Sequence, residues 1–583
     1  MHNDSGKGHD LKRTESCQAG GMLRVDNSVA QSTVIQAEQL QRRLNNRQIQ
    51  LIAIGGSIGT GLFISIGSGL HSAGPAGLLL AFIFYCFFVG LVNNGMAEMM
   101  TQYPVAGGFI RIAGHFVDEA FGFAAGWNFF IYEALVIPFE ISALAVVVQY
   151  WSHDIPIWTL CLACVILYTL INGLVVSAYG ETEFWLSSGK VILVLALFLF
   201  TFITMVGGNP QGDAYGFRNW NHPEAFAVSC GTFFTMDDWV ERALADYVVQ
   251  EVRTTGSLGR FEGFLAALWV ASFCIVGPEY ISLVSAEAKH PRKYIKAAYK
   301  TIYIRFFFLF LGSAIAVGIV LPSDDKTLTE ILIGSGSGGG TAAASPYVIA
   351  MRNMGITVFP HVVNALLVTS IFSAGNTYVY CASRSLYSLA LEGRAPAFLK
   401  ICTKQGVPVY ALALTMAFAC LSFLQQGKQA ARVLSILVNL VTGGALVNYL
   451  VMSITYVFYH QATKVQGIDR KNLPYYGWGQ PYCGYAASVF FSVVIGTFGY
   501  TSFSPFDVGA FFGCYAMTIL SILFYIFWKV FKRTSIYDPK AVDLVWETPQ
   551  VDAYEAEMME ESQTFWGEMG RMILFRNFRG IKK

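Results

Sequence analysis

Charge is what this chain has least of. Asp, Glu, Lys and Arg make up 13% of its 583 residues, against 54% hydrophobic, and the mean hydropathy is +0.48. That is too little polar surface to enclose the apolar content in water, so a soluble globule is excluded and an integral membrane protein is expected. Residues 1–48 are polar and hold no apolar run of the kind a cleavable leader needs, so the first apolar segment must target itself. Catalytic signatures are missing: no His-Glu-x-x-His, no nucleophile elbow and no metal-spaced Cys/His cluster. We therefore expect no enzyme, no metal, no cofactor and no nucleic-acid partner. The glycine-rich tract 334–340 lacks the following Lys-Ser or Lys-Thr of a phosphate cradle and reads as a linker. The eleven cysteines fall mostly inside apolar runs, where inert packing is the ordinary role. Cys230 is alone in the long loop 208–263, which rules out a disulfide within it.

Uninterrupted apolar runs of about 20 residues place twelve spans: 49–70, 78–98, 122–149, 157–177, 187–207, 264–286, 302–321, 358–390, 408–425, 432–459, 484–501 and 509–530. The fold class predicted is all-α, polytopic, with a transporter domain over 49–530, an N-terminal tail at 1–48 expected to be disordered, and a C-terminal tail at 531–583. Basic residues cluster on one side: Lys289, Arg292, Lys293, Lys296 and Lys300 in one loop, then Arg394, Lys400 and Lys404, then Lys464, Arg470 and Lys471. The opposite loops 71–77, 150–156 and 502–508 have no Lys or Arg. The positive-inside rule puts both termini in the cytoplasm. The outer loop, with Asp237, Asp238, Glu241, Asp246 and Glu251, reads as a solvated cap. The tails, one of them acidic at Glu555, Glu557, Glu560 and Glu561, suit regulation through trafficking or ubiquitin machinery.

Two spans carry a glycine-centred break. In span one, Gly55, Gly56, Gly59 and Gly61 stand with Ser57, Ile58 and Thr60, a sequence that leaves helical geometry cheaply and points the amides of the restarted helix into the bilayer centre. A substrate carboxylate suits that end; close packing of small residues is the alternative. In span six, Pro278 removes the helical partner of the Cys274 carbonyl, leaving acceptors suited to an ammonium group beside Glu279. Unwound backbone at bilayer depth persists only where something satisfies it, and two such breaks point to a transport site between spans one to five (49–207) and six to ten (264–459), with 484–530 left over. Glu133 and Glu140 are seven residues apart, two turns, and project from one face of span three. Lys190 sits in otherwise apolar span five, where its charge is costly and proton exchange is a candidate coupling step. An ion pair between Lys190 and either glutamate is the structural alternative.

Five segments resemble the fungal amino acid permeases of the amino acid, polyamine and organocation superfamily: Gly55–Phe63; Gly126-Trp127-Asn128 through Pro138–Ser142; Gly277-Pro278-Glu279 followed by Glu287–Lys293; Ser373–Asn376 through Ser383-Arg384 to Ala395-Pro396; and Val465–Gly467 with Leu473–Tyr475. The resemblance implies a leucine-transporter-like inverted repeat of five plus five helices with discontinuous helices one and six, and proton-coupled uptake at the plasma membrane. Carried over by position, Ile58 to Gly61 would hold the carboxylate, Phe273 would be an aromatic gate, and Gly277 and Glu279 would mark the amine side. Lys190 follows Glu181-x-Glu183-Phe184-Trp185 as the family's span-five lysine does. The substrate site expected comprises Ser57, Ile58, Gly59, Thr60, Gly61, Glu133, Glu140, Phe273, Cys274, Val276, Gly277, Glu279 and Tyr449, with Lys190 as the proton-coupling residue. Glu133, Pro278 and Asn448-Tyr449 depart from the usual pattern, and an extra acid favours a more cationic ligand, so the branch handling carnitine and polyamines is an alternative to plain amino acids. A nutrient sensor signalling through its tails is the rival from another class.

Overall fold

The structure is a computed structural model. It describes residues 42–558 apart from short stretches at 43, 153, 174–175, 228–229, 234–249, 254–255, 334–344, 404, 427–429 and 504–505, with a few residues beyond 558. Of the tail expected at 1–48, residues 1–41 lie outside the described residues, as do the linker at 334–340, the loop acids Asp237, Asp238, Glu241 and Asp246, and Glu560 and Glu561; the last three residues of that tail, 46–48, are already helical as the start of Asn46–Ser57.

Helix coincides with each of the twelve expected spans. Among the described residues nine helices are long and apolar enough to cross a membrane, and two shorter apolar ones lie at Ile157–Gly173 and Val409–Leu424. The apolar stretch Gly61–Gln102 is two helices that meet at a kink inside the loop expected at 71–77, where Gly74, at φ 73 and ψ 171, leaves helical geometry before Pro75. A short antiparallel pair, Cys230–Phe233 with Gln250–Arg253, is the exception to the all-helical architecture. Span ends follow local chemistry: Asp118 caps Glu119–Val148 by accepting from the Ala120 amide at 3.2 Å, and Asp507 caps Val508–Lys532 through Gly509 and Ala510.

Span three packs along span eight (Phe359–Leu391) and span ten, and span two packs along the first half of span six. Apolar side chains on the outer faces, among them Phe87, Leu170, Leu195, Phe202 and Phe527, are exposed, as a lipid-facing surface requires. Both breaks are present. Span one is helical over Asn46–Ser57, turns extended at Ile58 (φ −113, ψ 96) and resumes with a π-helical turn at Gly61–Ser65. Span six is helical over Gly256–Cys274, open at 275–277, and resumes at Pro278–Val284.

At the end of the bundle near both described chain ends, charged residues are tied down rather than free. Glu98, fully buried, takes both Arg470 Nε and Nη2 at 2.7 Å and the Gly477 amide at 2.8 Å. Arg384 of span eight donates to Glu287 at 3.1 Å, while Leu44 and residues 287–289 exchange backbone hydrogen bonds. The segment expected as a loose tail is docked instead: Val542 and Leu544 join the core, Tyr103 donates to the Leu544 carbonyl at 2.8 Å, and Arg111 pairs with Glu547 at 2.5 Å. Trp546 stacks on His115 at 4.0 Å with φ at 33, a left-handed conformation rare for a bulky residue, and the Arg111 guanidinium lies over its ring at 5.1 Å.

Candidate substrate site between the broken helices

The breaks face one another across a small cavity lined by Ser57, Gly59, Gly61, Leu62, Tyr132, Val136, Glu140, Phe273, Cys274, Val276, Tyr378 and Val441. Seven of the thirteen expected substrate residues are in that lining. Phe273 lines the cavity and stands edge-on to Phe139 at 5.3 Å.

The backbone groups freed in span one already have partners from the protein. The Thr60 amide donates to Glu140 Oε1 at 3.2 Å and the Thr60 hydroxyl donates to Glu140 Oε2. Tyr378 Oη donates to the Gly56 carbonyl at 3.0 Å, and Lys190 Nζ to the Gly55 carbonyl at 2.5 Å. The anion-binding end expected to take a substrate carboxylate therefore holds a carboxylate from span three at Thr60. Span six is treated alike: Glu279 Oε2 accepts from the Gly277 amide at 3.2 Å, Glu279 Oε1 from Tyr449 Oη at 3.0 Å, and the Ile275 carbonyl from Tyr449 Oη at 3.4 Å. Each break is thus capped by one buried glutamate, which is how unwound backbone survives inside protein at membrane depth.

Ile58, Thr60, Glu133, Gly277, Glu279, Tyr449 and Lys190 do not line the cavity. Thr60, Gly277, Glu279, Tyr449 and Lys190 support the breaks from behind it. Glu133 is fully buried with neither carboxylate oxygen hydrogen-bonded, within electrostatic reach of Glu279 and Tyr280. No ion pair joins Lys190 to Glu133 or Glu140 among the described residues, so the structural alternative considered for the lysine is not realised. Each carboxylate has found a separate environment, one at the first break and one beside the second.

Residues that the sequence reading missed are Leu62, Tyr132, Val136, Tyr378 and Val441. Tyr132, Val136 and Glu140 recur every four residues, a helical stripe that would have flagged the first two once Glu140 was chosen. Tyr378 and Val441 come from spans eight and ten with no local pattern. Among the described residues no group of His, Cys, Asp and Glu is arranged to hold a metal.

The chain matches the family described as amino acid permease over residues 48–539. It is 40% identical over 535 residues to a general amino acid permease of Saccharomyces cerevisiae, AGP2, covering 91% of this chain and 86% of that one. Identity to the dicarboxylic amino acid permease of the same yeast is 34%, over 87% of this chain and 80% of that one. To its lysine-specific permease it is 31%, over 91% and 82%. A polytopic helical bundle, paired helix breaks around a small cavity, and relatives alike over most of their length together lead to one statement: this chain belongs to the amino acid permease family.

Proposed function

We propose that this protein is a secondary active carrier that imports amino acids or related cationic amines across the plasma membrane together with protons, with both termini in the cytoplasm. The observation that supports the reading is the pair of capped breaks on either side of one cavity: Glu140 of span three, seated at Thr60 of span one and lining the cavity, and Glu279 of span six, holding the second break from behind it. A substrate entering there meets the Glu140 carboxylate, which suits its ammonium group. A substrate carboxylate has to share or displace the seat of Glu140, which makes binding and rearrangement of span one a single event. Lys190 supports the coupling part of the proposal, because its ammonium group is what satisfies the Gly55 carbonyl, and loss of the proton's charge weakens that hold. Relatives named for lysine and for dicarboxylic amino acids are consistent with a scaffold open to side chains of either charge. Glu133, buried with no hydrogen-bond partner, favours cationic substrates for this member, since a bound ammonium or quaternary amine would answer its charge.

The test is a competition panel of radiolabelled amino acids, carnitine and polyamines on the full-length protein, repeated with a protonophore. Saturable uptake that collapses when the pH gradient is dissipated is the expected result. Uptake indifferent to the gradient removes the coupling, and ligand binding without uptake turns the reading toward a sensor.

A further inference from the structure

Glu183 is a fully buried acid that the transport reading above leaves without a role. It lies on span five, seven residues and two turns before Lys190, so both project from one face. Its carboxylate accepts from Ser187 Oγ at 2.8 Å, Ser373 Oγ at 2.5 Å and Asn376 Nδ2 at 3.2 Å, the last two from span eight. A Cβ built on Gly55 would collide with Glu183 Oε1 and come within 2.8 Å of Ser187 Oγ, so span one passes against this carboxylate at the residue whose carbonyl Lys190 holds.

The hydrogen bonds fix the orientation of the groups around Glu183, read outward from one that cannot change. Asn172 donates to the Tyr168 backbone carbonyl at 3.0 Å, which fixes which end of its amide is the NH2. The same NH2 donates to Asn376 Oδ1 at 2.8 Å, so Asn376 must offer its own NH2 to Glu183. A backbone carbonyl thus dictates, through two amides, that Glu183 Oε2 be an acceptor. The hydroxyls of Ser187 and Ser373 complete the set at Oε1. Its three direct partners are neutral, and the facing titratable groups are Glu140 from span three, Tyr168 from span four and Cys381 from span eight, with Lys190 the cation among them. Arg47 is engaged at the surface with Glu181 and the Phe184 ring.

We propose that Glu183 is a positioning residue for proton coupling: a fixed charge, fastened to span eight by Ser373 and Asn376, that keeps Lys190 aimed at the Gly55 carbonyl and ties the charge on the lysine to the seating of span one against spans five and eight. The inference rests on the proton-coupled reading of the preceding subsection. While Lys190 is charged, Glu183 has its counter-ion and span one is held. When Lys190 gives its proton to the aqueous side, the buried carboxylate loses its compensation, and the arrangement in which span one seals it from water is no longer favoured.

The test uses the full-length protein in proteoliposomes, with labelled arginine, leucine and spermidine as probes, an inward acid gradient imposed or dissipated, and thermal unfolding measured alongside. In Glu183→Gln, which is nearly isosteric and whose serine partners can rotate to accept, the expected result is a wild-type KM, a maximal rate about tenfold lower or worse, and a gradient response reduced to within about twofold of none. Glu183→Asp should regain part of that response. Asn376→Ala leaves the charge but frees it from span eight, and is expected to blunt the response less than Glu183→Gln does; it serves if the glutamine variant is not recovered. A gradient response of wild-type size in either Glu183→Gln or Asn376→Ala overturns the inference. So does loss of thermal stability with an unchanged pH profile, which is what a simple tie between spans five and eight would give. If the wild type itself takes up none of the probes in response to the gradient, the proton-coupled reading has failed and this inference falls with it.

Discussion

Gly59→Ala probes the seat of Glu140 with a single methyl group. A Cβ at position 59 would lie 2.5 Å from Glu140 Oε1, 3.2 Å from Tyr378 Oη and 3.4 Å from Ala374 Cβ. The first of these is far inside van der Waals contact, so Glu140 has to withdraw, giving up the Thr60 amide and hydroxyl together. Hydrogen bonds to a charged acceptor are worth about 1.5–3 kcal/mol each. Allowing up to about 1 kcal/mol in favour of alanine over glycine, the net loss is roughly 2–5 kcal/mol, or about 30- to 4,000-fold in transport competence. Initial uptake rates, normalised to surface protein measured by a fluorescent fusion, read this directly. Gly189→Ala is the control, since a Cβ there meets only Thr369 Oγ1, at 3.8 Å, and transport should be unchanged. A Gly59→Ala protein with the KM and maximal rate of the wild type would show that the Glu140 seat at Thr60 has no part in the transport cycle.

Glu279→Gln is expected to abolish uptake while surface delivery stays normal; undiminished uptake would take Glu279 out of the site. Tyr449→Phe removes the hydroxyl that holds Glu279 at 3.0 Å, and should weaken transport by about 1–3 kcal/mol, roughly five- to 150-fold, visible in KM and rate together. Arg470→Ala strands the fully buried Glu98, a change worth about 3–5 kcal/mol, so thermal unfolding of the detergent-solubilised protein should drop and Glu98→Gln in the same chain should restore part of it. The docked C-terminal segment should loosen with acid. Burial holds His115 below the usual histidine range, against the upward pull of its hydrogen bond to the Asp543 carbonyl and of the Asp543 charge. The docked state thus prefers neutral imidazole, so docking is at full strength above about pH 6.5 and weakens as the pH falls through the docked value. Protease sensitivity of residues 537–557 should rise on acidification in the wild type and lose its pH dependence in His115→Gln.

The breaks were legible because their cause is local: four glycines within seven residues, and a proline that removes one amide. Cys274 and Val276 came with them, being neighbours of the second break in the chain, whereas Phe273 came from the family resemblance. What answered the freed backbone groups was not legible, since Glu140, Tyr378 and Tyr449 reach the breaks from three other spans and nothing in their own neighbourhoods records the approach. Glu183 was seen only as a marker on the way to Lys190; its meaning lies in an amide relay running from span four through span eight. The break expected between spans one and two at 71–77 is there, but it is tighter than a loop, since one glycine with positive φ before a proline makes it. The C-terminal segment was read as a tail because it is polar on average, whereas its docking depends on a few residues, Val542, Leu544 and Trp546, too few to leave a periodic signal.

That docked segment has a consequence for how the protein is made. Tyr103, Phe116 and Tyr459 stack edge to edge at the bundle end, and Trp546 closes over Tyr103 at 5.7 Å. Until the ribosome has delivered residue 546, this aromatic face has no cover, although the last membrane helix ends at Lys532. A nascent or truncated bundle therefore displays a greasy surface after every span is inserted, and its concealment is a late, checkable mark of a finished chain.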